Sequence, residues 1–374
     1  MLTALLRDLV AIDSVNPDLA PGAKGEAEIA AYCADWMRRE GFDVEMQDAA
    51  PGRPNVIGVI DSGRPGPALM FCGHIDTVGV EGMARPFSPE IRDGRLYGRG
   101  SQDMKGGVAA MMEAARRAKD HLAAGRIIVA CVCDEEFESI GAQALVTRWR
   151  ADAAVVTEPT DLAVAITHKG FAWIEIDTRG RAAHGSRPKE GRDAILRMGR
   201  VLARLESLNA DLAGRYADPL TGPPSLHAST IEGGHEWSSY PDHCRLKVER
   251  RTVAGEDEAL VMREIDALMR ALKDADAEFE GEARLIASRA PYALPRDHAL
   301  PALLTSIAHA HGGPADVTGM SFWTDAAILG DAGIPSVLFG PGGAGLHSVE
   351  EYVVLADVEA CAAALHTLAT RYCV

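Results

Sequence analysis

Four short runs constrain this chain more than anything else in it: 67-PALMFCG-73, 127-IIVACVC-133, 153-AAVVT-157 and 334-IPSVLFG-340. Each is apolar on both faces, and segments with helical spacing separate them, such as Met104, Val108, Met111, Met112 and Ala115. A strand with one wet face alternates in polarity, whereas a strand covered on both faces does not. The runs therefore predict central strands of a mostly parallel sheet covered by helices, an α/β fold. The same helical spacing links Ile29, Cys33, Trp36 and Met37 ahead of Gly41, after which Phe42, Val44 and Met46 alternate as a strand.

The pattern changes from Phe171 onward. Ala172, Ile174 and Ile176 alternate with Glu175 and Asp177, and a helix follows with Ala194, Met198, Val201, Leu202 and Leu205. Strands near 226–232 and 243–251, a helix with Val261, Ile265, Leu268, Met269 and Leu272, and a strand at about 277–287 complete the segment. That order, β-α-β-β-α-β, is the ferredoxin-like arrangement of helices on one face of an antiparallel sheet. It predicts a domain at 168–289 inserted into an α/β domain made of 1–167 and 290–374, in keeping with a chain of 374 residues. The outer domain resumes through helices near 298–310 and 324–331, the strand at 334–339 and a closing helix after 355.

Charge narrows the function. With 38 Lys and Arg against 54 Asp and Glu, the net charge of −16 offers no general attraction for nucleic acid or an anionic membrane, and it suits a protein that holds cations. The opening MLTALLRDLVAIDSVNP carries Arg7 and Asp8 inside its apolar stretch with no small-residue cleavage site after it, so no secretory signal is expected. No apolar run approaches the roughly 18 to 20 residues needed to span a bilayer. The 7 cysteines are odd in number and scattered, as expected of buried reduced thiols, and Cys131 and Cys133 lack the second cysteine pair of a zinc site. A soluble, cytoplasmic protein is the expectation.

The four apolar runs end alike. His74 and Asp76 follow the first, Asp134, Glu135 and Glu136 the second, Glu158 the third, and His347 lies beyond the glycine loop of the fourth. Open α/β sheets bind ligands beyond the carboxyl ends of their strands, so these ends are expected to converge on one cluster. Two histidines with several carboxylates match the ligand preferences of zinc, cobalt or manganese. Adjacent metal ions need a bridging carboxylate. Asp103, in 97-YGRGSQDMKGG-107, is placed to supply it at the start of a helix expected near Met104.

These residues carry a resemblance. The segments GHIDTV (73–78), GRGSQDMKGG (98–107), DEE (134–136), TEP (157–159) and GPGGAGLHSVEEYV (340–353) resemble, in order and spacing, the metal-site motifs of the M20 metallopeptidase family. That family includes acetylornithine deacetylase, succinyl-diaminopimelate desuccinylase, aminoacylase-1 and carboxypeptidase G, and the match runs from about residue 5 to 370. The resemblance implies two divalent ions, with Zn²⁺ first and Co²⁺ or Mn²⁺ as alternatives. His74 and Glu158 would bind one and Glu136 and His347 the other, with Asp103 between them. Asp76 would accept the second ring N–H of His74, and Glu135 would be the general base, taking a proton from a water held between ions about 3.5 to 4 Å apart. The inserted domain corresponds to the family's lid and dimerisation domain. There His184, in 180-GRAAHGSRP-188, would help stabilise the oxyanion, and Arg251 would bind the substrate carboxylate.

The chain departs from the family at two places near the expected substrate pocket. Ser238, expected to bind substrate, stands for the usual asparagine in 237-WSSYPD-242, and Trp323-Thr324-Asp325 stands for G-T-D, so Trp237 and Trp323 are expected to make that pocket more apolar. Gly340, Gly342 and Gly345 spell a dinucleotide fingerprint by accident, because no helix is expected to open after them. The resulting expectation is a deacylase of N-acyl amino acids that dimerises through the exposed strand edge of its lid. A dipeptidase or carboxypeptidase of the same chemistry is the alternative. A non-catalytic ligand-binding homologue is the remote one, opposed by the complete ligand set and Glu135.

Overall fold

A computed structural model describes residues 1–215 and 217–374. They form two compact units: Met1–Ile166 with Leu294–Thr318 and Thr324–Val374, and Thr167–Ala293 with Gly319–Trp323.

The central sheet of the first unit runs in the order Asp43–Ala50, Arg53–Asp61, Arg126–Val132, Ala68–His74, Ala153–Val156 and Ser336–Leu338, where Leu338 pairs antiparallel with Ala165. The four strands from Arg126–Val132 to Ser336–Leu338 are mutually parallel, and they are the four apolar runs. Their side chains are buried on both faces, so an alternating sequence was never available to them. Leu69, Met70 and Phe71 are fully buried, each contributing about 1.5–3 kcal/mol from the apolar surface it hides. Helix Gly106–Ala118 covers this sheet so closely that a Cβ on Gly107 would lie 1.9 Å from the Thr157 carbonyl oxygen. That contact pins the helix against the strand end that leads to Glu158.

A small sheet, ordered Gly343–Ala344, Tyr352–Val354, Arg95–Tyr97 and Glu90–Arg92, has no counterpart in the sequence pattern. Its strands are two or three residues long, too short to print an alternation. It ties the glycine loop of the fourth run to the segment ahead of Asp103.

In the second unit the strands are ordered Ser225–Gly233, His243–Thr252, Gly170–Arg179 and Gly281–Arg289, all antiparallel. Helices Ala194–Ala213 and Glu258–Ala275 pack Met198, Val201, Leu205, Val261, Ile265 and Leu272 against Ile174, Ile176, Leu246 and Val248. Asp193 and Asp257 start these helices by accepting the backbone N–H of Leu196 (2.9 Å) and Leu260 (2.6 Å). The last strand begins at Gly281 instead of about 277, the unit extends to Ala293 past the expected 289, and Gly319–Trp323 groups with it. Trp323 explains the last point, since its Nε1 donates to the Ala290 carbonyl (3.1 Å) and its ring meets Arg289 and His168. Arg250 breaks the strand alternation. It is fully buried on the apolar face, with its guanidinium forked onto Glu256 at 2.8 and 3.1 Å. Among the described residues, no helix is long and apolar enough to cross a membrane.

Candidate metal centre

The carboxyl ends of the parallel strands bring the acidic and histidine residues of the first unit together. His74 closes its strand, and its Nε2 lies 3.1 Å from Asp103 Oδ1. The other oxygen of that carboxylate, Oδ2, lies 3.2 Å from His347 Nε2, which is also 3.2 Å from Glu136 Oε2. One carboxylate thus stands between two imidazoles. On one side, ligand atoms of His74, Glu135 and Glu158 fall within 4.8 Å of one another, and on the other those of His74, Asp103 and Glu136 do so.

Four carboxylates in so little space create a charge problem that burial makes worse. Burial and the neighbouring Glu158 push the Glu135 carboxyl well above its ordinary range, and burial raises Glu136 and Glu158 as well. Burial works to lower the His74 pKa, yet Asp103 and Asp76 outweigh it and hold the imidazole well above its usual value. Asp103 and Glu136 likewise push His347 up to about 10. The cluster demands positive charge, toward which its own residues offer only the two imidazoles. Glu136 Oε1 is buried without a hydrogen-bond partner, as a donor atom aimed at a cation would be. Imidazole nitrogens and carboxylate oxygens on both sides of a shared carboxylate fit two divalent ions.

Local structure holds His74 and the Glu135–Glu136 turn in place. The Asp76 side chain is fully buried, and its oxygens accept Asn16 Nδ2 (2.8 Å) and the backbone N–H of Glu135 (3.1 Å) and Glu136 (3.3 Å). His74 Nδ1 lies 3.0 Å from the backbone oxygen of Asp76 and 3.5 Å from its carboxylate, so the expected ring contact falls mainly to the carbonyl. The carboxylate instead aims the turn that carries Glu135 and Glu136. Asp134, which has no assigned role in the sequence pattern, grips the same turn. Its residue adopts a φ of 68°, and its side chain accepts the N–H of Glu138 (3.2 Å) and Ile140 (3.3 Å), Asn16 Nδ2 (2.9 Å) and Arg53 Nη2 (2.8 Å). Arg53 in turn forks onto buried Glu26, with both contacts at 2.6 Å.

One expectation needs correcting here. Helix formation begins at Gly106, not at Met104, because Ser101–Lys105 forms a single wide turn in which Asp103 has φ −114° and ψ 95°. Asp103 is therefore no helix cap, and its N–H donates to Glu351 (3.1 Å). The glycine loop does lack a helix at once after it: Gly343–Ala344 pairs with Tyr352–Val354, and Gly345 at φ 93° makes the turn before His347. A Cβ there would lie 1.9 Å from the Glu350 carbonyl oxygen.

The remaining candidates belong to the second unit. His184 is exposed, with Nδ1 2.8 Å from Ser186 Oγ, and its segment zips onto Ser238 and Ser239 through the Gly185 N–H, 2.6 Å from the Ser238 carbonyl oxygen. Arg251 donates from Nε to Glu249 Oε1 (2.7 Å) and lies over the Phe171 ring. Trp237 is 104% exposed, against the expectation that it adds apolar lining, because it rides on the tip of its loop.

Comparison with known proteins follows the same line. Acetylornithine deacetylase of Myxococcus xanthus is 31% identical over 100% of this chain and 97% of its own length. Aminopeptidase PepT of Bacillus cereus superposes with a TM-score of 0.81 at 19% identity, covering 100% of this chain and 97% of that one. YxeP of Bacillus subtilis, described as a dinuclear metal binding peptidase from the M20 family, does so with a TM-score of 0.71 at 16% identity, over 100% and 96%. Residues 70–371 match the sequence model of peptidase family M20/M25/M40, and the chain belongs to that family of metal-dependent amide hydrolases.

Proposed function

We propose that the chain hydrolyses the amide bond of an N-acyl amino acid, as acetylornithine deacetylases and desuccinylases do. The observation that carries this reading is the Asp103 carboxylate shared between His74 and His347, with Glu135 on the His74 and Glu158 side. The whole-length similarity to a deacetylase supports it.

In this reading His74 and Glu158 hold one divalent ion, Glu136 and His347 the other, and Asp103 lies between them; Zn²⁺ is the first choice. Such ions supply a polarised carbonyl and an acidified water when bound. Glu135 does the proton work. Its carboxyl stands beside His74 and Glu158, where as a carboxylate it takes one proton from the attacking water and passes it to the leaving nitrogen. Asp76 and Asp134 keep Glu135 at that post through the backbone of its turn. His184 donates to the oxyanion and Arg251 takes the substrate carboxylate. Ser238, whose carbonyl accepts the Gly185 N–H next to His184, joins Arg251 in binding the substrate.

Ser225–Gly233 is an edge strand of the second unit's sheet, exposed along nearly its whole length, and pairing it with a second copy would make a homodimer. Seven free buried cysteines suit the cytoplasm. The test is a panel of N-acetyl amino acids, N-acetylornithine included, set against N-succinyl amino acids and dipeptides, on protein reconstituted with Zn²⁺, Co²⁺ or Mn²⁺. The highest kcat/KM falls on an N-acyl amino acid. A clear preference for dipeptides replaces the deacylase reading with a dipeptidase, and hydrolysis of no member removes the catalytic reading.

A further inference from the structure

One buried carboxylate beside the centre neither faces the ions' expected positions nor handles a proton. The Glu351 side chain is inaccessible, and four donors converge on it. Oε2 accepts Arg99 Nη1 (2.7 Å) and the Gly100 N–H (2.9 Å), and Oε1 accepts the N–H of Gln102 (2.9 Å) and Asp103 (3.1 Å). Three amides of one short segment are thus aimed at one residue, which fixes the wide turn that presents Asp103. The backbone of Glu351 does a second job. Its carbonyl accepts the Gly98 N–H (3.1 Å), Tyr352 and Val353 beside it pair with Tyr97 and Leu96, and Arg99 Nη2 returns to the Ser348 carbonyl (3.0 Å). His347 lies four residues before Glu351 on this same loop, in a left-handed conformation at φ 55°.

We propose that Glu351 is a positioning residue that locks the Asp103 turn to the His347 loop, and so sets the affinity for the ion at Glu136 and His347 more strongly than for the ion at His74 and Glu158. The assignment rests on the proposed dinuclear centre. His74 closes its strand and Glu158 lies two residues past the end of another, and neither backbone touches Glu351. Of the partners on the other side, Glu136 is held by the Asp76 and Asp134 turn, but His347 and Asp103 depend on Glu351 for their relative placement. Losing the carboxylate loosens the shared Asp103 for both ions but the His347 loop for one alone, so the ion at Glu136 and His347 weakens more than the ion at His74 and Glu158. Outer partners of metal ligands typically govern about 10- to 100-fold in affinity.

The test titrates Co²⁺ alone into the metal-free full chain and follows its visible absorption and heat of binding, with no substrate present. Wild type takes up about two equivalents in two steps. Glu351→Gln keeps the size but turns an NH₂ toward donors; it weakens one step by roughly 10- to 100-fold and the other clearly less. Arg99→Leu removes one of the four donors and the tie to Ser348 but leaves the three amides on Glu351, so it lowers the thermal midpoint and separates the two steps less than Glu351→Gln does. Should Glu351→Gln fail to fold, Glu351→Asp carries the test, since its shorter carboxylate cannot reach both pairs of donors and shows the same unequal loss. Unchanged steps, or equal weakening of both in a folded variant, overturn the assignment. A wild type that binds fewer than two ions overturns the dinuclear reading itself, which is a separate result.

Discussion

Replacing Arg53 with methionine tests whether the scaffold behind the Glu135 turn is what holds it. Arg53 is 8% exposed and makes contacts of 2.6 Å to each oxygen of Glu26, 2.8 Å to Asp134 and 2.7 Å to Asp18. The Glu26 and Asp134 side chains are 0% and 1% accessible, so Arg53→Met strands two buried carboxylates, whereas half-exposed Asp18 loses little. Breaking a buried pair by removing one partner costs about 3–5 kcal/mol, more than the added apolar contact of methionine returns. For a unit of this size that lowers the melting temperature by on the order of 10 °C. The double change Arg53→Met with Glu26→Gln removes one stranded charge and should recover about half the loss, because Asp134 keeps Asn16 and its two backbone donors. Scanning calorimetry on the metal-free chain reads both. An Arg53→Met protein melting within about 1 °C of wild type, or a double variant no better than the single, refutes the reasoning.

Other outcomes follow from the same structure. Gly107→Ala places a methyl 1.9 Å from the Thr157 carbonyl oxygen and should cost about 1–3 kcal/mol or more, visible as a lower urea midpoint; an unchanged midpoint means the helix does not press against that strand end. His168 is fully buried, and burial lowers its pKa from 6.5 to about 4 despite the Lys169 carbonyl beside Nδ1. Because the unfolded imidazole takes a proton that the folded one refuses, its contribution is complete above pH 6.5 and is lost as pH falls from 6.5 through about 4. The loss approaches about 3 kcal/mol, and His168→Phe should flatten stability over that window; an equally steep fall in the variant removes His168 as its cause.

How much of the molecule is legible in its sequence depends on which residues carry the information. The parallel core is readable because Leu69, Met70, Phe71 and their counterparts are buried on both faces, and unbroken apolarity in so short a run marks a strand covered on both sides. The convergence of His74, Glu136, Glu158 and His347 follows from the rule about strand ends, and the resemblance supplies their order. Their support is what stays hidden. Arg53, Glu26, Asn16 and Glu351 reach the centre from 16 to 351 in the chain, through contacts that no local period records. Asp134 stands in plain view in an acidic run that looks like a solvated turn, yet its carboxylate faces inward with four donors. The start of the helix after Asp103 is displaced for a similar reason. Helical spacing from Met104 is real, but Glu351 draws the preceding amides into a wide turn that an isolated segment would not choose.

The central claim is that the cluster is a two-ion hydrolytic centre in which Glu135 moves the proton and binds no ion. One measurement addresses it directly: the metal content of Glu135→Gln beside its turnover of the best N-acyl amino acid. The account predicts about two ions per chain, as in wild type, with kcat reduced by roughly 10²- to 10⁴-fold. A variant that loses an ion in parallel with activity makes Glu135 a ligand, and one that keeps full turnover removes it from the reaction.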